Sequence, residues 1–233
     1  MNKILVLYVF HIYNNRVNYF IDNCIFKDDN IDFLIICNNK NINFNAPNYV
    51  KIIIRDNLGC DFGGWSHGLL DDNIYQNYDK FIFVNSSVSG PYLKDKNIKW
   101  TDIYINGLQN NIKLFGSTIN SYYNNILYPH VQSYIFSMNK ETLEFLIKYN
   151  IFSVKEYTSN IYETVLYKEI EMSNKIIKNG WNIGSLLKQY KDVDFTKDIS
   201  HIKLYDDIMF PTYRNILWSE DDLVFIKGNR MGL

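Results

Sequence analysis

Residues 55–70 read RDNLGCDFGGWSHGLL, with glycines at 59, 63, 64 and 68 and an aspartate at 61. The stretch follows an apolar run, Tyr49–Ile54, and leads into a helical pattern near Trp65–Leu70. An apolar run closed by a glycine-rich turn that opens a helix is a strand-to-helix connection of an α/β sheet. Glycine at this density needs a reason, either a left-handed backbone or a close approach to something. The stretch is neither a GxGxxG fingerprint nor a P-loop ending in GK[ST]. Taken alone, it reads equally as a ligand-facing loop and as an ordinary turn.

Working outward, the same alternation recurs. Ile4–Phe10, Asp32–Cys37 and Asp79–Val84 are near-continuous apolar runs, as expected of strands buried on both faces. Lys113–Ser117 and Val131–Met138 read as further strands. Helical patterns lie at Asn14–Cys24, Ile103–Asn110, Glu141–Tyr149 and Tyr162–Asn179, the last stopped by Gly180. The fold class that follows is α/β, a mostly parallel sheet flanked by helices, in a single domain over residues 1–233. Ligands of such sheets bind beyond the carboxyl ends of the strands. Those ends carry HIYNN (11–15), RDNLGCDFGG (55–64) and NSSVSGP (85–91), which hold much of the glycine and small polar content.

Composition narrows the function classes. Hydrophobic residues make up 47% and charged residues 21%, enough for a sizeable core. A formal charge of -1 argues against nucleic acid as a partner. The three cysteines, Cys24, Cys37 and Cys60, form no CxxC pair and point to a reducing, cytoplasmic compartment. No apolar run is long enough to span a bilayer, so any membrane link runs through a surface or a partner.

Four further constellations bear on chemistry. Asn85, Ser86 and Ser87 form a small polar strand tip that suits sugar hydroxyls or a hydrated ion, or else serves as a turn. In YPHVQSYIFSM (128–138), His130, Gln132, Ser133 and Tyr134 either read a sugar or support a strand edge. In YETVLYKEIEMS (162–173), Glu163 and Glu169 lie six residues apart and so not on one helix face. In LVFIKGNR (223–230), Lys227 and Arg230 suit a diphosphate, though taken alone they read better as a basic C-terminal surface.

In this order the segments RDNLGCDFGGW, FVNSSVSGP, HVQSYIFSM, YKEIEMSNKIIKNGW and FIKGNR resemble the rhamnan synthesis F type of glycosyltransferase, across about residues 55–230. The resemblance implies a GT-A-like fold and transfer of a sugar from a nucleotide-diphosphate donor to a glycan or glycoconjugate acceptor. It implies donor contacts at Arg55, Asn57, Gly59, Asp61, Phe62, Gly64, Asn85, Ser86, Ser87, Lys227 and Arg230. Glu169 matches the family's helix glutamate and is the expected catalytic base, with Asp61 and Glu163 next. Trp65, His130, Gln132 and Tyr134 are the expected acceptor or sugar contacts. Ser86 stands where the family often has Asp, and Mg²⁺ and Mn²⁺ favour carboxylates, so the metal is unassigned. If no metal is used, Lys227 and Arg230 are the candidates to neutralise the leaving diphosphate. A non-catalytic nucleotide-sugar or glycan-binding module is the alternative. A different α/β enzyme, such as a methyltransferase or an NAD enzyme, is disfavoured, because FHIYNN, not GxGxxG, follows the first strand.

Overall fold

A computed structural model describes residues 3–124, 126–200 and 218–228. Arg230, one of the expected donor contacts, lies outside them. A seven-stranded sheet forms the centre. Its strands are β1 (Ile4–Phe10), β2 (Ile31–Cys37), β3 (Lys51–Ile54), β4 (Lys80–Asn85), β6 (Ile112–Gly116), β9 (Ile135–Asn139) and β10 (Asn182–Ser185), in the order β10-β6-β9-β4-β1-β2-β3. Only β9 runs antiparallel to its neighbours, so the expected mostly parallel α/β sheet is the one the chain forms.

The apolar runs explain the layering. Along β1, Leu5, Leu7 and Val9 pack on one face while Ile4, Val6, Tyr8 and Phe10 pack on the other. Alternate side chains point to opposite faces, so a strand covered on both sides must be apolar throughout. Helices α2 (Cys60–Leu70), α4 (Lys140–Lys148) and α6 (Glu171–Lys178) contribute to the first face, with Trp65, Leu69, Leu143, Leu146, Met172 and Ile176 buried there. Helices α1 (Asn15–Asn23) and α3 (Trp100–Asn106) cover the second. Burying one such aliphatic or aromatic side chain is worth about 1.5–3 kcal/mol.

The run Val131–Met138 departs from the expected single strand. It is broken between β8 (Ile126–Val131), which pairs with β7 (Ile119–Tyr123) as a separate hairpin, and β9 of the main sheet. The physical reason lies in the backbone donors. Gln132 N–H donates to the Thr118 carbonyl (3.1 Å) and Ser133 N–H to the Glu169 carboxylate (2.6 Å), so neither is left for a sheet ladder. The long helix at 161–178 also holds a surprise. A π-helical stretch, Val165–Ile170, separates α5 (Ile161–Thr164) from α6.

Two short elements complete the site. Strand β5 (Val88–Ser89) pairs antiparallel with β11 (Ile226–Lys227), which follows α7 (Glu220–Leu223). Among the described residues, no helix is long and apolar enough to cross a membrane.

Candidate active site at the strand tips

Chain order locates the cleft. From β1 the chain moves outward to β2 and β3, then returns to place β4 on the other side of β1. The direction of winding therefore switches between β1 and β4, and crevices open at such switch points. Beyond these two tips stand His11 and Asn85. Because β9 is antiparallel, its beginning, with Ser133 just before it, comes to the same end of the sheet.

Asp61, in the first turn of α2, faces this crevice. It accepts a hydrogen bond from Asn85 Nδ2 (2.9 Å). A carboxylate suits a helix N-terminus, where the macrodipole favours negative charge. Burial nonetheless pushes the Asp61 carboxyl up to about 6; the Asn85 hydrogen bond and the charges of His11 and Lys227 oppose that rise, and the Glu169 charge adds to it. Four segments far apart in sequence thus act on one carboxylate. Lys227 arrives by the pairing of β11 with β5, opposite Val88.

The Asn85 amide is fixed. Its Oδ1 accepts from Ser87 N–H (2.9 Å) and from the Ser87 hydroxyl (2.5 Å), and a backbone N–H must have an acceptor, so Nδ2 is the atom turned to Asp61. The set therefore offers one carboxylate and an amide N–H₂. Among the described residues no group of three or more His, Cys, Asp or Glu side chains could hold a metal ion. Mg²⁺ or Mn²⁺ wants several oxygens, and this donor set does not fit one without breaking the Asp61–Asn85 bond.

Glu169 lies in the π-helical stretch and is 8% exposed. Its Oε2 accepts from both the N–H and the hydroxyl of Ser133, and Oε1 stands 3.7 Å from His130 Nε2. One turn on, Ser173 Oγ accepts from Val131 N–H (3.1 Å). Two side chains of one helix thus hold alternate backbone donors of the β8–β9 junction.

Other expected contacts fall elsewhere. Trp65, His130, Gln132 and Tyr134 are 0%, 2%, 3% and 2% exposed, so none presents a face to an acceptor. Trp65 packs edge-on against Phe62, Phe83 and Phe136, and Phe62 is itself core. The Thr118 hydroxyl links Gln132 Oε1 (2.7 Å) to the Tyr134 hydroxyl (3.1 Å). Arg55 is turned inward, donating to Asn38 Oδ1 (2.9 Å) and the Leu58 carbonyl (3.0 Å) with Tyr157 over its guanidinium. Asn57 is exposed and accepts from Asn38 Nδ2 (3.4 Å). Gly59 takes a left-handed φ of 73° ahead of α2. A Cβ on Gly64 would stand 2.7 Å from Val9 and 3.1 Å from Asn38, so this glycine brings the helix onto the sheet and not onto a ligand. Ser86 is half-buried, and its carbonyl accepts from Arg16 Nε (3.4 Å).

The chain matches the rhamnan synthesis protein F family over residues 34–213. It belongs to that family. The family is one of glycosyltransferases in polysaccharide synthesis, as the motif resemblance implies. No curated protein matches the chain in sequence. Among solved structures it is similar to a glycosyltransferase involved in glycosylation of the major capsid of PBCV-1, at 13% identity and a TM-score of 0.38, covering 71% of this chain and 74% of that one. It is also similar to the apo glycosyltransferase GlyE of Streptococcus pneumoniae TIGR4 (15% identity, TM-score 0.45, 81% and 46% covered). A third is the bifunctional glycosyltransferase WbbM in its apo form (12%, 0.38, 75% and 37%). The chain thus spans less than half the length of the last two.

Of the residues the motifs mark, Asp61, Asn85 and Ser87 are joined by hydrogen bonds at one strand tip, and the charges of Lys227 and Glu169 act on Asp61. The motifs leave His11 unassigned, and they offer Ser133 only as one of the polar residues that could read a sugar. The signal for His11 was its place directly after a buried strand; for Ser133 it was the polar break inside an apolar run.

Proposed function

We propose that the chain transfers a sugar from a nucleotide-diphosphate donor to a hydroxyl of a glycan or glycoconjugate, with Glu169 as base. Family membership supports the reaction class. The observation that carries the residue assignment is the Asp61–Asn85 hydrogen bond at the strand tips, at a carboxylate on which the charges of Lys227 and Glu169 also act. In this reading Asp61 and Asn85 accept from and donate to the donor's sugar or ribose hydroxyls, and Ser87 holds the Asn85 amide in place. The Lys227 ammonium, beside that strand tip, offsets charge on the departing diphosphate. Glu169 takes the acceptor proton as the acceptor oxygen attacks the anomeric carbon, which gives inversion at that centre. We read residues 1–233 as one such domain working in the cytoplasm, in keeping with three cysteines that form no disulfide.

The test is nucleoside diphosphate release from a panel of UDP-, GDP- and dTDP-linked sugars. One donor class should turn over, and Glu169→Gln should lower kcat at least a hundredfold, within the range for a general base. Product NMR should show inverted anomeric configuration. Donor binding without any turnover would favour the binding-module alternative, and retained configuration would remove Glu169 from the base role.

A further inference from the structure

Resting on the reading of Glu169 as base, we infer that His130 acts through Glu169 as a positioning residue that receives the proton the Glu169 carboxylate takes up. The geometry begins at the ring. His130 Nδ1 lies 2.5 Å from the Tyr128 carbonyl oxygen, which can only accept, so Nδ1 carries hydrogen. In the neutral ring Nε2 is then a bare lone pair, and it points at Glu169 Oε1 from 3.7 Å. The other carboxylate oxygen, Oε2, is already taken by two Ser133 donors. Oxygens that accept strong hydrogen bonds are poorer bases. Oε1 is therefore the oxygen left to accept a proton. His130 is 2% exposed and touches no acceptor; it acts only through Glu169.

The step balances as follows. The acceptor O–H bond breaks as its oxygen bonds the anomeric carbon, and the bond from that carbon to the diphosphate breaks with its electron pair on the leaving group. The acceptor's proton goes to Oε1 and from there to Nε2. The second helix contact, Ser173 to Val131 N–H, holds the strand segment that carries His130 in register with Glu169.

His130→Asn tests this, because the Asn amide can still donate to the Tyr128 carbonyl while nothing replaces Nε2. With the donor selected by the panel, kcat should fall about ten- to hundredfold while the donor KM and Tm stay near wild type. His130→Gln, whose amide nitrogen has no lone pair to receive a proton, should recover none of the loss, and recovery to wild-type kcat would overturn the inference. Wild-type kcat in His130→Asn overturns the inference, as does a KM rise without a kcat loss. A second readout needs no turnover. Long-range ¹H–¹⁵N spectra of the four-histidine chain should show Nδ1 of His130 protonated, and its ring signals should move in Glu169→Gln. An Nε2–H tautomer, or ring signals indifferent to Glu169→Gln, overturns the inference. If Glu169→Gln itself turns over normally, the base reading is what fails. If Glu169→Gln is dead and His130→Asn is not, only the role of His130 fails.

Discussion

Asp61 is the residue on which the site's electrostatics turn. Its carboxyl is held at about 6, chiefly by burial, although an amide and two basic side chains oppose that shift. The sign is fixed by linkage. An acid whose folded pKa exceeds its unfolded value binds more protons when folded, so stability falls as pH rises from about 4 through about 6 and stays lower above it. Asp61→Asn removes that penalty. It should raise Tm by about 2–5 °C at pH 7.5 and leave it nearly unchanged at pH 4, since a partly solvated carboxyl contributes on the order of 1–2 kcal/mol. Donor affinity should drop in the same variant. A thermal melt at the two pH values decides it: equal shifts at both would show that ionisation of Asp61 carries no cost. A residue kept at the expense of stability is a mark of function, and nothing in the letters CDFGG announces it.

The element that presents Asp61 is α2, and its glycines do a different task from the one the sequence suggested. A Cβ on Gly63 would lie 1.9 Å from the Leu58 carbonyl oxygen, a backbone atom that cannot move aside; the Gly64 clash at 2.7 Å is with the tip of a Val9 side chain. Gly63→Ala should therefore destabilise by about 3 kcal/mol or more, and Gly64→Ala by about 1–2 after the helix-propensity gain of alanine. Denaturant midpoints in the reverse order would contradict this packing account. The same contrast shows what a sequence can disclose. The strands β1, β2 and β4 were legible because burial on both faces leaves an unbroken apolar run, a local signature. The start of α2 was legible as a turn. Its purpose was not, because the atoms that forbid side chains there belong to Val9 and Leu58, and contact partners are not written in the local pattern. Arg55 misled for the same reason: a guanidinium that serves Asn38 and Leu58 has the same spelling as one that serves a phosphate. The π-helical stretch was also hidden, since one widened turn hardly alters the apolar periodicity that marks the helix.

At the scale of the whole molecule, the site is closed by the end of the described chain returning to its middle. Phe225 is buried against Trp100, Phe20 and Tyr104, and Tyr92 N–H donates to the Val224 carbonyl (2.7 Å). Between these anchors Val224 takes a φ of 64°, and Phe225 N–H donates to the Leu223 carbonyl (2.6 Å), a tight γ-turn that a branched residue adopts only under constraint. Asp222 supplies part of that constraint. Lys94 (2.8 Å) and Lys188 (2.9 Å) both reach its Oδ1 and hold its carboxyl well below the usual carboxylate range. A depressed carboxyl is stabilising above its unfolded value and loses that contribution only as pH falls through the folded one, so this clasp is intact throughout neutral pH. Both lysines are mostly solvated, so the clasp adds little global stability. Its effect should be local, on where β11 delivers Lys227. Asp222→Asn should leave Tm within about 2 °C and weaken donor affinity about three- to tenfold, with the loss shrinking as salt rises and screens the wild-type ion pairs. Lys227→Ala should weaken donor affinity about tenfold by itself, near the value of one charge-assisted contact. If Asp222 acts through Lys227, the double variant should be no worse than Lys227→Ala, a coupling that titration of the donor calorimetrically in all four proteins measures. Additive losses would instead mean that Asp222 shapes the crevice by a route that bypasses Lys227.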